Sequence, residues 1–506
     1  MSVVIVVDIG SSSVRCSALG RGGEKGGHAL QDVEGSMQQK EMDTLHLCAD
    51  EIIEVVNDCV GQCLNSLPDD CEVADVALSC FTMNLVGVNA KGSAVTPLLS
   101  YAAAGSAIHE ASTQLREEFK DKMHLVARTG TRFFHSSYAA PQILALSEEE
   151  LEATEVFTTI PSLLLSKWAD KCDLMYQISV SEASWTGMLS TETLDWEESV
   201  LDVLPDAITS KLPKVCSDHR DLCISKAIKK MWPQLGHANL HMGMADGAAA
   251  NIGSMCTGME RVAVTVGTSA AARVLLSRKE ITLQNGEDVP DWFHAGLWCY
   301  CLDEDRVLLG GALTDGGSIY AWAKSTLQWT DDIEEEALQL EPGSHGLDIV
   351  PHLKGERSPG WHEKSKMAIV GISPETKPCH ILRASQEAVA ITLSQVILEI
   401  IGAMGKSNVK NTKIVASGNA LVKSKLLRQS LADLCQRPIY TSAYAENEAT
   451  SRGAAILALS NSQGNSLEKL LDKGKLTKVA TPTDGADSLY RSSQQAELSK
   501  TLVPFF

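Results

Sequence analysis

Two stretches far apart in this chain carry the same arrangement of chemistry-bearing residues: Asp8-Ile9-Gly10-Ser11-Ser12-Ser13 and Val266-Gly267-Thr268-Ser269. Each ends an apolar, β-branched run and leads into a second strand-like run, Arg15 to Leu19 and Ala272 to Leu276, which is the pattern of a tight hairpin. Glycine lets backbone N–H groups approach a ligand, and the hydroxyls of Ser11, Ser12, Ser13 and Thr268 add short donors, so each turn can grip a polyphosphate. Two such turns facing each other across a cleft would hold ATP.

Two aspartates bear on what happens to that polyphosphate. Asp8 stands at the end of a strand, where a carboxylate can hold Mg²⁺ through water or simply shape the turn. Asp246, in Gly243-Met244-Ala245-Asp246-Gly247, precedes a small-residue helix start. There it can cap the helix or accept the proton of an attacking hydroxyl. Gly316-Gly317, and Gly418-Asn419 after the strand Lys413 to Ser417, offer close-approach sites for a nucleotide.

Other patterns are set aside. Gly405-Lys406-Ser407 mimics the end of a phosphate-binding loop, but a helix leads into it. His237 and His241 have helical metal spacing with no third ligand nearby. Gly20 to Gly27 reads as a flexible hairpin tip. The acidic run Asp331 to Glu336 reads as a solvated face.

The elements that must position these residues alternate. Ser2 to Val7 and Val73 to Cys80 read as buried strands, Asp50 to Leu67 as an amphipathic helix, and Glu110 to Lys122 and Ile160 to Ala169 as further helices. Composition shifts to glycine and alanine from Gly236 to Gly253, and a boundary is expected near Met244. Beyond it, Val389, Leu393, Val396, Ile400 and Met404 recur at helical spacing and stop at Gly405. Lys413 to Ser417 is a strand and Leu421 to Cys435 a helix. The pattern predicts two α/β lobes derived by internal duplication. Residues 1–244 form the first, 245–459 the second, and 460–506 a polar C-terminal extension.

The 506 residues carry a formal charge of −20, which argues against a nucleic-acid or anionic-membrane partner. The 14 cysteines match neither a zinc framework nor a disulfide scaffold, and the first residues lack the features of a signal peptide. A soluble, cytoplasmic protein is expected.

Taken in order, these motifs resemble the FGGY carbohydrate kinases, two-lobed enzymes of the actin-like (ribonuclease H-like) ATPase superfamily, over roughly residues 3 to 459. The resemblance implies ATP and Mg²⁺ as cofactors, with Asp246 as the catalytic base and Asp8 as the metal anchor. It puts Ser11, Ser12, Ser13, Arg15, Gly267 and Thr268 along the phosphates and Gly316, Gly317, Gly418 and Asn419 at the nucleoside end. Glu446-x-Glu448-Ala449-x3-Gly453 is similar to the closing helix of the second lobe.

Thr129-Gly130-Thr131, Ser184-Trp185-Thr186-Gly187 and Gly355-Glu356-Arg357-Ser358-Pro359-Gly360-Trp361 are similar to the gluconokinase-like branch. Met83, Asn84, Ser136 and Trp185 are the substrate candidates. The segment Tyr101 to Ser106 replaces the family's Trp-x-Asp sugar contact, and Met83-Asn84 replaces its Met-His pair. The implied reaction is phosphorylation of a hydroxyl of a small sugar or sugar acid, gluconate first and a ketopentose of the xylulose or ribulose type second. A quiet ATP-binding sugar sensor is the rival, and a homodimer is a candidate assembly.

Overall fold

The computed structural model describes residues 2–21, 30–170, 172–216, 222–281, 288–405, 412–442, 449–464, 466–471 and 476–490. The tip at 22–29 and Lys406-Ser407, like Glu446 and Glu448, lie outside them.

Ser2–Ile9 is buried along all but its first residue, as a β-branched strand covered on both faces must be. It pairs antiparallel with Ser13–Arg21 and, on its other side, parallel with Glu72–Cys80. Asn239–Leu240 continues the sheet, parallel to Glu72–Cys80. The second sheet repeats this plan. Arg261–Val266 pairs antiparallel with Ala270–Ser277 and parallel with Lys413–Ser417, and Ile439–Thr441 follows in parallel. Each hairpin strand also carries an antiparallel third strand, Leu30–Asp32 in one sheet and Arg306–Leu313 in the other. The same strand order twice is the architecture that duplication of one lobe predicts.

A small sheet of Leu99–Ser100, Asn84–Val88 and Val156–Thr159 is inserted in the first half of the chain. In the second half, the helix Pro378–Ala403 begins well before the expected Val389 and ends before Gly405, whose φ is +89°. By length and composition alone this helix could cross a bilayer, yet 72% of its most apolar window is buried inside the protein.

Two features depart from the sequence reading. The helix Ala449–Gln463 packs on Ser2–Ile9 and Glu72–Cys80 of the first sheet rather than closing the second. It lies against the helix Asp246–Gly253 so tightly that a Cβ on Gly453 would fall 1.8 Å from the Ala249 carbonyl oxygen, and one on Gly253 1.8 Å from that of Ala449. Nor is the segment after Leu459 a separate tail. The helix runs on to Gln463, and Thr477–Ala480 pairs with Ile439–Thr441 as an edge strand of the second sheet. Buried Tyr490 donates its hydroxyl to Asp433 at 3.1 Å, which ties the described end down. Polar composition concealed this because Thr477–Ala480 is an exposed edge strand, with even Val479 37% exposed.

Candidate active site

Both hairpin turns are closed by their own backbone: Gly10 N donates to Ser13 O at 2.8 Å and Gly267 N to Ser269 O at 2.9 Å. Ser11 from the first turn and Ser269 from the second line one pocket, of about 810 Å³ with its mouth, and Asp246 lines it too. The second turn is braced from beneath. Gly316 N and Ser318 N donate to Thr268 O at 2.9 and 3.1 Å, and Gly317 N donates to Gly267 O at 2.8 Å. A Cβ on Gly317 would stand 2.5 Å from Gly267 O, and one on Gly418, whose φ is +83°, 2.6 Å from Val266 O. At exposed Gly267, by contrast, a Cβ would meet no atom within 4 Å.

Behind the braced turn opens a larger cavity of about 1500 Å³. Gly316, Gly317 and Asn419 line it with apolar Ile319, Leu382 and Leu427, while Gln386, Lys423 and Glu334 add polar groups. Its mixture of flat apolar wall and a few polar groups suits a nucleoside. Glu334 and Glu335, from the acidic run read as a solvated face, are exposed but stand at its edge on the short helix Ile333–Gln339.

Aromatic side chains form the wall of the pocket around Asp246. Trp185 stacks on Tyr300 with ring centroids 3.8 Å apart, Trp298 tilts against the same tyrosine at 4.4 Å, and Tyr138 and Tyr300 share a hydrogen bond of 2.6 Å between their hydroxyls. Such rings offer apolar faces to C–H surfaces and polar edges to hydroxyls. Two guanidinium groups, Arg273 and Arg357, line the pocket as well.

Asp246 opens its helix directly after the N-cap residue Ala245 and is half-buried. Burial pushes its carboxyl up to about 6, against the pull of Arg273, with the negative charge of Asp8 adding to the rise. A carboxylate so tuned is a stronger proton acceptor than an exposed one and is still ionised at neutral pH. Asp8 is 2% exposed and stands behind the pocket wall, 3.5 Å from Arg15 Nη2. Burial raises its pKa too, while Arg15 opposes the rise.

The other expected residues divide. Met83 and Trp185 line the pocket, and Met83 holds the uncommon φ of +55°. Asn84 lines instead a small pocket beside it, together with Met83 and Trp185. Its amide donates to Phe81 O at 2.6 Å and accepts from Ile160 N at 3.0 Å, so it pins the inserted sheet. Ser136 is not among the residues lining the main pocket, and its neighbour Ser137 is; the Ser136 backbone N–H donates to Glu363 Oε1 at 3.1 Å. Among the nucleotide candidates, Ser12 and Thr268 are exposed and Ser13 is buried in its strand. Gly418 supports Val266 rather than lining a cavity. His241, set aside as a ligand, accepts a structural role, 2.9 Å from buried Asp75. Tyr101, where the family's sugar contact is altered, still lines the pocket.

These surroundings fit a magnesium-bound triphosphate. The open space over Gly267 is a cradle that no protein atom fills, and Arg15 Nε is buried without a partner beside Asp8. Among the described residues no three His, Cys, Asp or Glu side chains make a metal cage. Mg²⁺ ordinarily takes one or two carboxylates together with phosphate oxygens and water, and Asp8 supplies one such carboxylate.

Comparison with known proteins agrees with this layout. The N-terminal domain of the FGGY family of carbohydrate kinases matches residues 3–253, and the C-terminal domain matches residues 262–462. The gluconokinase of Bacillus subtilis (strain 168) is 23% identical over 532 residues, covering 100% of this chain and 95% of the relative. A gluconate kinase from Lactobacillus acidophilus superposes with a TM-score of 0.81 at 20% identity, over 99% of this chain and 98% of its own. A xylulose kinase from the same organism superposes with 0.80 at 21% identity, with the same coverages.

Proposed function

Since this chain belongs to the FGGY family of carbohydrate kinases, it is a phosphotransferase acting on an alcohol group with ATP and Mg²⁺, and we propose that its acceptor is a small sugar acid, gluconate. The observation that carries this reading is the pairing of Asp246 with two guanidinium groups, Arg273 and Arg357, in one aromatic-walled pocket. A neutral polyol needs hydroxyl partners alone. A carboxylate is recognised best by a planar guanidinium. Arg273 is the cation that acts most strongly on Asp246, which leaves Arg357 to meet an acid group of the sugar.

In this reading the aromatic wall holds the carbon chain while its terminal hydroxyl reaches Asp246. An Asp246 carboxylate oxygen takes the hydroxyl proton as the alcohol oxygen attacks the terminal phosphoryl group in line. The two turns orient that group: Ser11 and Ser269 from opposite sides, with the amides around Gly267 beneath. Asp8 would hold the metal, and Arg15 would add positive charge beside the phosphates. Mg²⁺, when bound, supplies charge neutralisation at the phosphates. Positioning and preorganised electrostatics carry most of such catalysis. The boundary near Met244 fits the same reading, for the helix bearing Asp246 begins there. A cytoplasmic location fits the described cysteines, which are free thiols.

A coupled assay of ADP release over D-gluconate, D-xylulose, D-ribulose and glycerol tests it, with Asp246→Asn as control. Turnover with gluconate that falls at least about a hundredfold in the variant is expected. Turnover with a neutral ketose and none with gluconate would overturn the substrate.

A further inference from the structure

Glu363 lies two residues after Trp361, which lines the sugar pocket from the second half of the chain. Its side chain is 9% exposed, and its recorded side-chain partners come from the first half. Oε1 accepts from Ser112 Oγ at 2.7 Å, Arg116 Nη2 at 3.1 Å and the Ser136 backbone N–H at 3.1 Å. Oε2 stands 3.2 Å from His109 Nδ1. Arg116 also donates to the Trp361 carbonyl at 3.4 Å, and the His135 ring meets the Trp361 ring edge-on with centroids 5.2 Å apart.

The pocket is therefore fastened from both sides. Ser136 precedes the pocket residue Ser137 on one wall, and Glu363 follows Trp361 on the other. A carboxylate removed from water is costly to leave unpaired, and its partners here all belong to the opposite domain. Parting the two walls would strand it. Bringing them together satisfies it.

We propose that Glu363 is a positioning residue for the kinase reaction, a clasp between the two domains that holds the Trp361 and Ser137 walls of the sugar pocket at binding distance. Its effect falls on the sugar and not on the nucleotide, because the cavity around Gly316 and Asn419 shares no residue with it. This rests on the pocket around Asp246 being the sugar site.

Glu363→Gln, Arg116→Met and the double variant test it, with kinetics measured on whichever of D-gluconate and D-xylulose the parent turns over. Each single change should raise the sugar KM about tenfold while the ATP KM stays within twofold. The double variant should be no worse than the poorer single one, since both remove one clasp. Small-angle scattering of the ligand-free proteins gives a readout that needs no sugar, and the variants should have the larger radius of gyration. An unchanged sugar KM with unchanged scattering, or equal losses for sugar and ATP, would overturn the clasp. Absence of turnover by the parent with either sugar would instead remove the substrate reading, leaving scattering to decide on the clasp.

Discussion

Asp246 and Arg273 line the same aromatic-walled pocket, and Gly247, next in the chain to Asp246, leaves room for the guanidinium: a Cβ there would stand 3.3 Å from Arg273 Nε. The guanidinium pulls the Asp246 pKa down while burial pushes it up, and burial wins. Asp246→Asn keeps the shape and removes the proton acceptor. Because positioned general bases contribute about 10²–10⁴-fold, kcat should fall by that factor with the KM values little changed. Steady-state kinetics over both substrates check this.

The pH profile follows from the same pair. With the Asp246 carboxyl pushed up to about 6, kcat/KM should be flat above neutrality and fall as pH drops through about 6, where protonation removes the acceptor. Arg273→Met deletes the group that lowers this pKa, so the acid limb should move to higher pH. A limb that stays in place in the variant, or moves down, would contradict the assignment of that limb to Asp246.

Acid preference should reside in Arg357. Its Nη2 donates to Leu313 O at 3.3 Å, and the guanidinium lies 6.0 Å from the centroid of the Tyr101 ring, which lines the same pocket. A hydrogen bond to a charged group is worth about 1.5–3 kcal/mol, or roughly 10–100-fold. Arg357→Met should raise the KM for gluconate by that factor and leave any turnover of neutral sugars within about threefold. Parallel assays on gluconate and D-xylulose read the difference.

What the sequence disclosed, and what it withheld, divides along a physical line. The hairpins, Asp8 and Asp246 were legible because each is a local signal, a β-branched run stopped by glycine and a hydroxyl or acid. Asn84 reads as a substrate contact because it adjoins Met83; it lines a small pocket beside the main one with Met83 and Trp185, but its amide is bonded to backbone. Successive residues entering a strand face opposite ways, and Asn84 begins the strand Asn84–Val88 with its amide turned to backbone. Tyr300, Arg273, Arg357 and Glu363 gave no signal of comparable weight. Their partners lie up to 254 residues away, as for Glu363 and His109, and only the fold brings them together. Tyr300 does alternate with Cys299 and Cys301 in a short strand, yet alternation says which face is buried and not what it faces.

The nucleotide side offers a test of backbone rather than side chain. Gly418 combines a φ of +83° with a Cβ position only 2.6 Å from the Val266 carbonyl oxygen, immediately before the turn at Gly267. Gly418→Ala must shift Val266 or abandon its own conformation, at a cost of about 1–3 kcal/mol. Displacement of the turn should raise the ATP KM several-fold while the sugar KM holds. Melting curves together with ATP titrations measure both effects.

The tight packing of Gly253 and Gly453 sets where Asp246 sits. The helix Asp246–Gly253 is only 8 residues long, and its far end is fixed by a backbone approach that no side chain permits. In Gly453→Ala the new Cβ, 1.8 Å from the Ala249 carbonyl oxygen, meets backbone that cannot rotate away, so the helices must part. Overpacking of this kind costs about 1–3 kcal/mol, and displacement of a catalytic group by roughly 1 Å costs on the order of 10²-fold in rate. The variant should therefore lose both melting temperature and kcat although residue 453 lines neither cavity. Gly402→Ala is the matched control, in a helix where a Cβ would meet no atom within 4 Å. It should leave kcat unchanged and raise stability by about 0.4–1 kcal/mol. A Gly453→Ala protein with a lowered melting temperature but full kcat would show that the glycine contact stabilises the fold without placing Asp246.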